Sequence, residues 1–201
     1  MMNWEDYFKS NTEVLRNKFD ITNQDELYEK EKKIVLERLS ILILYGMNGN
    51  FDANHLKAIH WYLFSPVYDF AGRYREVNVF KEHSSFLGYE CIPGELNKVL
   101  KDAKDKKINQ DNLFDVAKFL GQLYYDLIYI HPFREGNGRS IREYLREFTE
   151  YKFPGLSLNY DKVDKKNFLL GITERDTYPL LLAYEIFNAL EHKNKVKWLL
   201  R

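Results

Sequence analysis

LFDVAKFLGQLYYDLIYIH, residues 113–131, is the stretch whose reading decides the fold. Leu113, Val116, Ala117, Leu120, Leu123, Tyr124, Leu127 and Ile128 recur at spacings of three and four without a break. That is the period of one helix face packed on a core. The next position on the stripe is His131, and Pro132 follows it at once. Proline disfavours α geometry in the residue before it, so the helix is predicted to end at or near His131. A histidine there is a poor core filler. Its charged form gains from the helix C-terminal dipole but costs desolvation. Taken singly, it reads as a core histidine bonded to a backbone carbonyl.

Working outward toward the C-terminus, Gly136-Asn137-Gly138-Arg139 opens a second amphipathic helix, predicted over 137–150. Ile141, Tyr144, Leu145 and Phe148 form its core face, and Arg139, Arg142 and Arg146 point the other way, toward solvent or a ligand. Two glycines at a helix N-terminus leave N–H groups unobstructed at the positive end of the dipole, a ready anion site. Arg139 and Arg142, three residues apart, can fork onto phosphate oxygens farther along a polyphosphate. Glu135 is a hard oxygen ligand where Mg²⁺ would be held by one carboxylate, phosphate oxygens and water. Taken singly, Gly-Asn-Gly is a turn and the arginines a solvated face. Together with His131 and Glu135 they supply a base, a metal ligand, an anion cradle and a cationic clamp within residues 131–142.

Toward the N-terminus, a helix is predicted from about Asp25, with Thr22 as N-cap and Asp25 three residues on. It runs through Ile34, Val35, Leu39 and Leu42 and stops in the turn-rich stretch Gly46 to Asn50. A second helix follows Asp52 as N-cap, with Leu56, Ile59, His60 and Leu63 on one side, and closes near Pro66. Between Tyr74 and Ile92 the helical period fails; Glu76 to Phe80 alternates polar and apolar, which reads as a short β-hairpin or flap. Further helices are predicted over 93–105, 161–172 and 178–199. The charged run 101–107 reads as a solvated helix end.

Composition agrees with a helical fold. The 201 residues are 45% apolar and 16% aromatic, which excludes wholesale disorder, and 10 Gly with 5 Pro are few for an all-β chain. Thirty basic residues balance thirty acidic ones, against a nucleic-acid coat or a basic membrane binder. One cysteine, Cys91, forbids an intrachain disulfide and a multi-cysteine zinc site. The opening residues Met1 to Asp6 lack an export-signal pattern, and no apolar run approaches the ~18 residues that span a bilayer. The expectation is a soluble, cytoplasmic protein, with neither nucleic acid nor membrane as partner, in which residues 1–201 form a single all-α domain. Its core falls at about 50–175, its flap at about 76–92 and its catalytic loop at 131–142.

His131-Pro132-Phe133-Arg134-Glu135-Gly136-Asn137-Gly138-Arg139-Ser140-Ile141-Arg142 resembles the complete signature of the Fic family, His-Pro-Phe-x-Asp/Glu-Gly-Asn-Gly-Arg-x-x-Arg. Ile59-His60-x-x-Leu63-Phe64 and Tyr68-Asp69-Phe70-Ala71-Gly72-x-Tyr74-Arg75 resemble the family's helix and turn before its flap, and Asn11 to Glu26 resembles the leader of several bacterial members. The resemblance implies a helical bundle with one small hairpin. It implies a protein adenylyltransferase that moves AMP from ATP onto a Ser, Thr or Tyr hydroxyl of a target protein. It casts His131 as general base, Phe133 as the core anchor of the loop and Glu135 as the Mg²⁺ ligand. Gly136, Asn137 and Gly138 become the phosphate cradle, Arg139 the β-phosphate ligand and Arg142 the γ-phosphate ligand, with Arg134 at the nucleotide edge. In the flap, where many members have Lys-Gly-Gly-Thr-x-Phe-x-Pro-Pro, this chain has Lys81-Glu82-His83-Ser84-Ser85-Phe86-Leu87-Gly88-Tyr89. Lys81, a further nucleotide-binding candidate, and Phe86 keep their places; the glycine pair and both prolines do not.

Two alternatives stand beside this reading: Fic-type transfer of another nucleotide or a phosphate, and a non-catalytic nucleotide-sensing module. The phosphorylating branch typically has Lys at the place of Gly138, and an inactive member usually lacks the base. Many members also carry an inhibitory helix, Ser/Thr-x-x-x-Glu-Gly/Asn, whose glutamate pairs with the second motif arginine, here Arg142. Only Thr22 and Glu26 match its first part, with Leu27 in place of Gly or Asn, and neither Glu185 nor Glu191 has Ser or Thr four residues earlier. The resemblance therefore implies a brake supplied by a separate antitoxin-like protein.

Overall fold

Helix α1 (Gln24–Tyr45) starts where the Asn23 side chain accepts the Glu26 N–H at 3.0 Å. The cap is therefore Asn23, one residue past the expected Thr22, because its carboxamide oxygen accepts the N–H three residues on. In this computed structural model the described residues are 3–81, 84–174, 176 and 180–192. Among them the chain forms helices α1, α2 (Ala53–Phe64), α3 (Ile92–Asp105), α4 (Leu113–Ile130), α5 (Asn137–Lys152), α6 (Lys165–Thr173) and α7 (Leu181–Ala189). Two small antiparallel ladders accompany them: β1 (Phe80–Lys81) with β2 (Ser84–Ser85), and β3 (Leu156–Leu158) with β4 (Leu190–His192). The fold is all-α with small β elements, as the periodicity requires.

The chain divides into two compact units, Met1–Asp105 with Asp126–Tyr144, and Lys106–Tyr125 with Leu145–Arg201. The first unit holds every residue of the expected site. Its centre is α2, capped as expected by Asp52, which accepts the His55 N–H at 2.9 Å. Leu56, Ile59, His60, Leu63 and Phe64 of α2 are all fully buried, the apolar stripe the sequence displays. Around them lie Val67 and Tyr68, Ile92, Leu96 and Leu100 of α3, and Leu127 and Phe133. Tyr144 donates its hydroxyl to the Phe51 carbonyl at 2.9 Å, tying α5 to the turn before α2.

The hairpin is much shorter than the expected 76–92. Its ladder has two residue pairs, Phe80 with Ser85 and Lys81 with Ser84, and helix α3 begins already at Ile92. The period-2 stretch 76–79 stays out of the ladder because its backbone groups are already taken: Arg75 donates to the Val77 carbonyl (2.7 Å), and the Glu76 N–H donates to the Tyr7 hydroxyl oxygen (3.1 Å).

In the second unit α6 starts at Lys165, four residues later than the predicted helix, because Asp164 caps it by accepting the Asn167 N–H at 2.8 Å. The helix predicted over 178–199 ends at Ala189 and gives way to β4; residues 193–199 lie outside the described residues. Arg146, expected on the outward arginine face, is only 8% exposed and pairs with Glu150 at 2.8 Å. Its row of three arginines thus splits, with Arg146 held by neighbouring carboxylates.

Candidate active site

His131 stands at the junction of α4 and the loop that leads to α5. Its N–H still donates to the Leu127 carbonyl (3.1 Å), closing α4, but its φ is +47°. A non-glycine residue in the left-handed region carries strain that neighbours must offset. Arg75 does so. Its Nε donates to the His131 carbonyl at 2.7 Å, its Nη1 to Val77, and its Nη2 to Ile130 (3.2 Å) and to Leu87, while its own N–H donates to the Pro132 carbonyl at 2.9 Å. The guanidinium is 2% exposed; burial pushes its pKa down to about 10, still cationic at neutral pH. One buried cation thus serves carbonyls on both sides of the helix end and on both legs of the hairpin.

The His131 ring lies 3.8 Å from the Phe86 ring, stacked at 17°. Its Nδ1 is 3.3 Å from the Ile128 carbonyl oxygen. A carbonyl only accepts, so Nδ1 carries the proton in this bond and the lone pair falls on Nε2.

Beyond Pro132 the loop is fixed from inside. Phe133 is fully buried and stacks on His60 at 3.8 Å. His60 Nδ1 accepts the Gly72 N–H (2.8 Å), which leaves Nε2–H to donate to the Glu135 carbonyl at 2.9 Å. Burial, with the nearby Arg139 charge, lowers the His60 pKa to about 4 against the opposing effect of that hydrogen bond, so the ring is neutral. Asn137 spans the turn: its carboxamide accepts the Phe133 N–H (2.9 Å) and donates to the Phe133 carbonyl (2.8 Å). Its side chain is spent on the loop, and its backbone N–H is what it offers a ligand. Gly136 sits at φ +81°, and a Cβ there would come within 2.4 Å of the Phe64 ring, so only glycine fits.

The helical ladder of α5 begins with the Ser140 N–H on the Gly136 carbonyl at 3.1 Å. The amides of Asn137, Gly138 and Arg139 precede that ladder, at the positive end of a 16-residue helix. The Gly136 N–H, expected among the cradle donors, is instead given to Glu135 Oε1 at 2.8 Å. Glu135 Oε1 also accepts from Arg139 Nη2 at 3.2 Å, and its side chain is 42% exposed. Arg142 folds back over the first turn, its Nη1 3.2 Å from where a Cβ of Gly138 would stand. Among the described residues Arg142 has no carboxylate partner. Arg139, in contrast, is paired with Glu31 of α1 as well as with Glu135.

Arg134 is half-buried, its guanidinium carbon 4.4 Å over the Trp4 ring, 5.1 Å over Phe8 and 5.6 Å over Tyr7. The structure therefore seats it on the N-terminal aromatic cluster. Lys81 ends β1, away in sequence from the loop, and its side chain lies outside the described residues. Three contributors escaped the sequence reading as site residues: Glu31, His60 and Arg75. His60 and Arg75 did carry a signal, as members of the strings Ile59 to Phe64 and Tyr68 to Arg75, but without an assigned role; Glu31 carried none.

Among the described residues no three His, Cys, Asp or Glu side chains cluster to hold a metal. A cation at Glu135 would therefore take most of its ligands from phosphate oxygens and water, the habit of Mg²⁺. A partly exposed carboxylate beside unladdered amides fits that role.

An all-α fold with a histidine at one helix end and unladdered amides at the start of the next sets the class of the chain. Comparison with known proteins names it. The model of the Fic/DOC family matches residues 50–148. A protein of Sinorhizobium fredii (strain NBRC 101917 / NGR234), named "Probable protein adenylyltransferase y4lH", is 32% identical over 160 residues, covering 79% of this chain and 81% of that protein. "Protein adenylyltransferase VbhT" of Bartonella schoenbuchensis is 29% identical over 161 residues, 80% of this chain; the chain spans 33% of that relative's length. Among solved structures, the BepC protein of Bartonella tribocorum, crystallised with AMPPNP, superposes with a TM-score of 0.81 at 21% identity, covering 94% of this chain and 98% of that one. This chain belongs to the Fic/DOC family.

Proposed function

We propose that the protein is a Fic-type nucleotidyltransferase that moves AMP from ATP onto a Ser, Thr or Tyr hydroxyl of a target protein. One observation carries the reading. His131 closes α4 with Nδ1 toward the Ile128 carbonyl, while unladdered amides, Arg139, Arg142 and Glu135 gather at the start of α5, only a six-residue turn away in sequence. Names of relatives in the family support the same activity.

In this reading the polyphosphate lies against the amides of Asn137, Gly138 and Arg139. Arg139 holds the β-phosphate and Arg142 the γ-phosphate, as fits an arginine with no carboxylate of its own among the described residues. Arg134 and Lys81 are assigned to the nucleotide edge. Nε2 of His131 removes the proton of the target hydroxyl, whose oxygen attacks the α-phosphorus in line with departing pyrophosphate. Rate enhancement comes from positioning and from neutralising charge on the leaving phosphates. Mg²⁺, when bound at Glu135, would add to that neutralisation. Residues 1–201 act as one Fic domain, in the cytoplasm; no helix among the described residues is long and apolar enough to cross a membrane.

Restraint is assigned to a separate antitoxin-like protein whose glutamate reaches Arg142. The internal candidate Glu26 supports this by its position: it is exposed in the first turn of α1, where its N–H serves the Asn23 cap. The test is intact-mass analysis of proteins incubated with the chain and ATP. A target gaining the mass of one AMP supports the proposal, and tight ATP binding without any covalent product overturns it in favour of a sensing module. Silent protein that is released by Glu26→Gly would overturn the separate brake.

A further inference from the structure

Arg139 and Arg142 sit one turn apart on the same helix, yet among the described residues only Arg139 of the two is gripped by a buried acid. That acid is Glu31, on α1, outside the segment that matches the family model. We infer that Glu31 is a positioning residue which sets the Arg139 guanidinium for the β-phosphate; the inference rests on the nucleotide reading above. Glu31 is 5% exposed. Its Oε1 accepts from Arg139 Nη1, and its Oε2 accepts from the hydroxyl of Tyr68. Tyr68 is itself buried and stacked on Phe70 at 4.7 Å. Burial, reinforced by the Glu31 charge, raises the Tyr68 pKa, so its O–H donates throughout the working range. Both carboxylate oxygens are thus committed and the carboxylate cannot rotate.

Arg139 is correspondingly held on three sides. Glu31 takes Nη1, Glu135 Oε1 lies 3.2 Å from Nη2, and the Phe64 ring lies 4.7 Å from the guanidinium carbon. A long side chain on a 27%-exposed helix face would otherwise sample many rotamers. Fixed in this way, its plane is set before any phosphate arrives, and the ordering cost does not fall on binding. A merely structural ion pair would use the same atoms but would leave nucleotide preference alone.

The experiment uses the full chain and calorimetric binding of ADP and AMP, neither of which needs turnover. Glu31→Gln is expected to weaken ADP about tenfold, the scale of one charge-assisted contact, and to leave AMP within about twofold. Combined with Arg139→Gln, it should weaken ADP no further than Arg139→Gln does alone, because it acts through that arginine. Tyr68→Phe should give a smaller loss of the same kind, and repeats the cycle with Arg139→Gln where Glu31→Gln does not fold. Wild-type affinity or tighter binding in Glu31→Gln, or losses that add in the double variant, would overturn the inference alone. Wild-type protein that binds no ADP would overturn the nucleotide reading with it.

Discussion

The loop that follows His131 and the hairpin of the first unit are tied to the same cation yet built to opposite standards. The His131, Pro132, Phe133 and Glu135 carbonyls and the Phe133 N–H are taken by Arg75, Asn137 and His60, over distances of 2.7 to 2.9 Å. The hairpin has two residue pairs, and Phe80 at its tip strand is 72% exposed. Arg75 anchors the hairpin's legs at Val77 and Leu87 and leaves what lies between them to its own short ladder. The difference teaches where hydrogen bonds are spent: the loop that carries His131 is tied at successive residues, whereas the hairpin is held at its base.

The sharpest way to break this comparison is to remove the base from the rigid side. His131→Ala is expected to reduce AMP transfer by about 10²–10⁴-fold, the range of general-base effects, while ATP affinity stays within about threefold. Labelling of targets with radioactive ATP, paired with calorimetry, reads both quantities. Retained labelling by a folded variant would strip His131 of its role.

The second expectation concerns the rigidity itself. His60 stays neutral in the folded chain down to about 4, whereas an unfolded histidine takes up its proton near 6.5. The stability owed to its neutral form is complete above 6.5 and is lost as pH falls toward 4, because the unfolded state then binds the extra proton. The slope in that window reaches about 1.4 kcal/mol per pH unit, roughly 3 kcal/mol in all, or more than a hundredfold in the folding constant. Urea unfolding at several pH values should show this slope in the wild type and a flatter one in His60→Gln. Parallel curves would mean that the ring protonates in place.

How much of this was legible in sequence follows from distance along the chain. The loop was legible because its parts are contiguous: period, proline, glycines and arginines all fall within one turn and two helix ends. Phe133, Gly136 and the α2 stripe stand where their pattern puts them. The supports were not legible, since His60 reaches Glu135 across 75 positions and Glu31 reaches Arg139 across 108. No local rule marks one buried glutamate in a helix rich in exposed ones. Strands β3 and β4 escaped for a different reason. Three residues cannot establish a period, and Leu190 continued the apolar spacing of α7. Arg146 was misplaced because an arginine on the outward side of a helical wheel reads as solvated, whereas Glu150 one turn on draws it in.

A smaller effect separates the two arginines of the rigid region. Arg142→Ala should weaken ATP by about tenfold or more relative to ADP, since the lost contact is charge-assisted and made only to the γ-phosphate. Competition binding with the two nucleotides measures the ratio. Equal losses would place Arg142 on a merely solvated face.

The smallest expected effect lies on the loosely held side. Phe80 buries little of its ring in the isolated chain, and its strand is paired on one edge only within the two-pair ladder. An extended target segment could add to such an edge through main-chain hydrogen bonds, with side chains such as Phe80 giving it apolar contact. Replacing Phe80 by Ser removes that contact and no part of the phosphate site. Partial burial of one aromatic ring is worth about 1 kcal/mol, so KM for the protein target should rise roughly fivefold. The turnover number and ADP affinity should not change, because Arg75 holds His131 and the hairpin legs independently of the tip. A KM that stays fixed would mean that targets dock elsewhere. A fall in turnover instead would mean that the tip helps to place Phe86 on the His131 ring, and that the two regions are less separate than their hydrogen bonds imply.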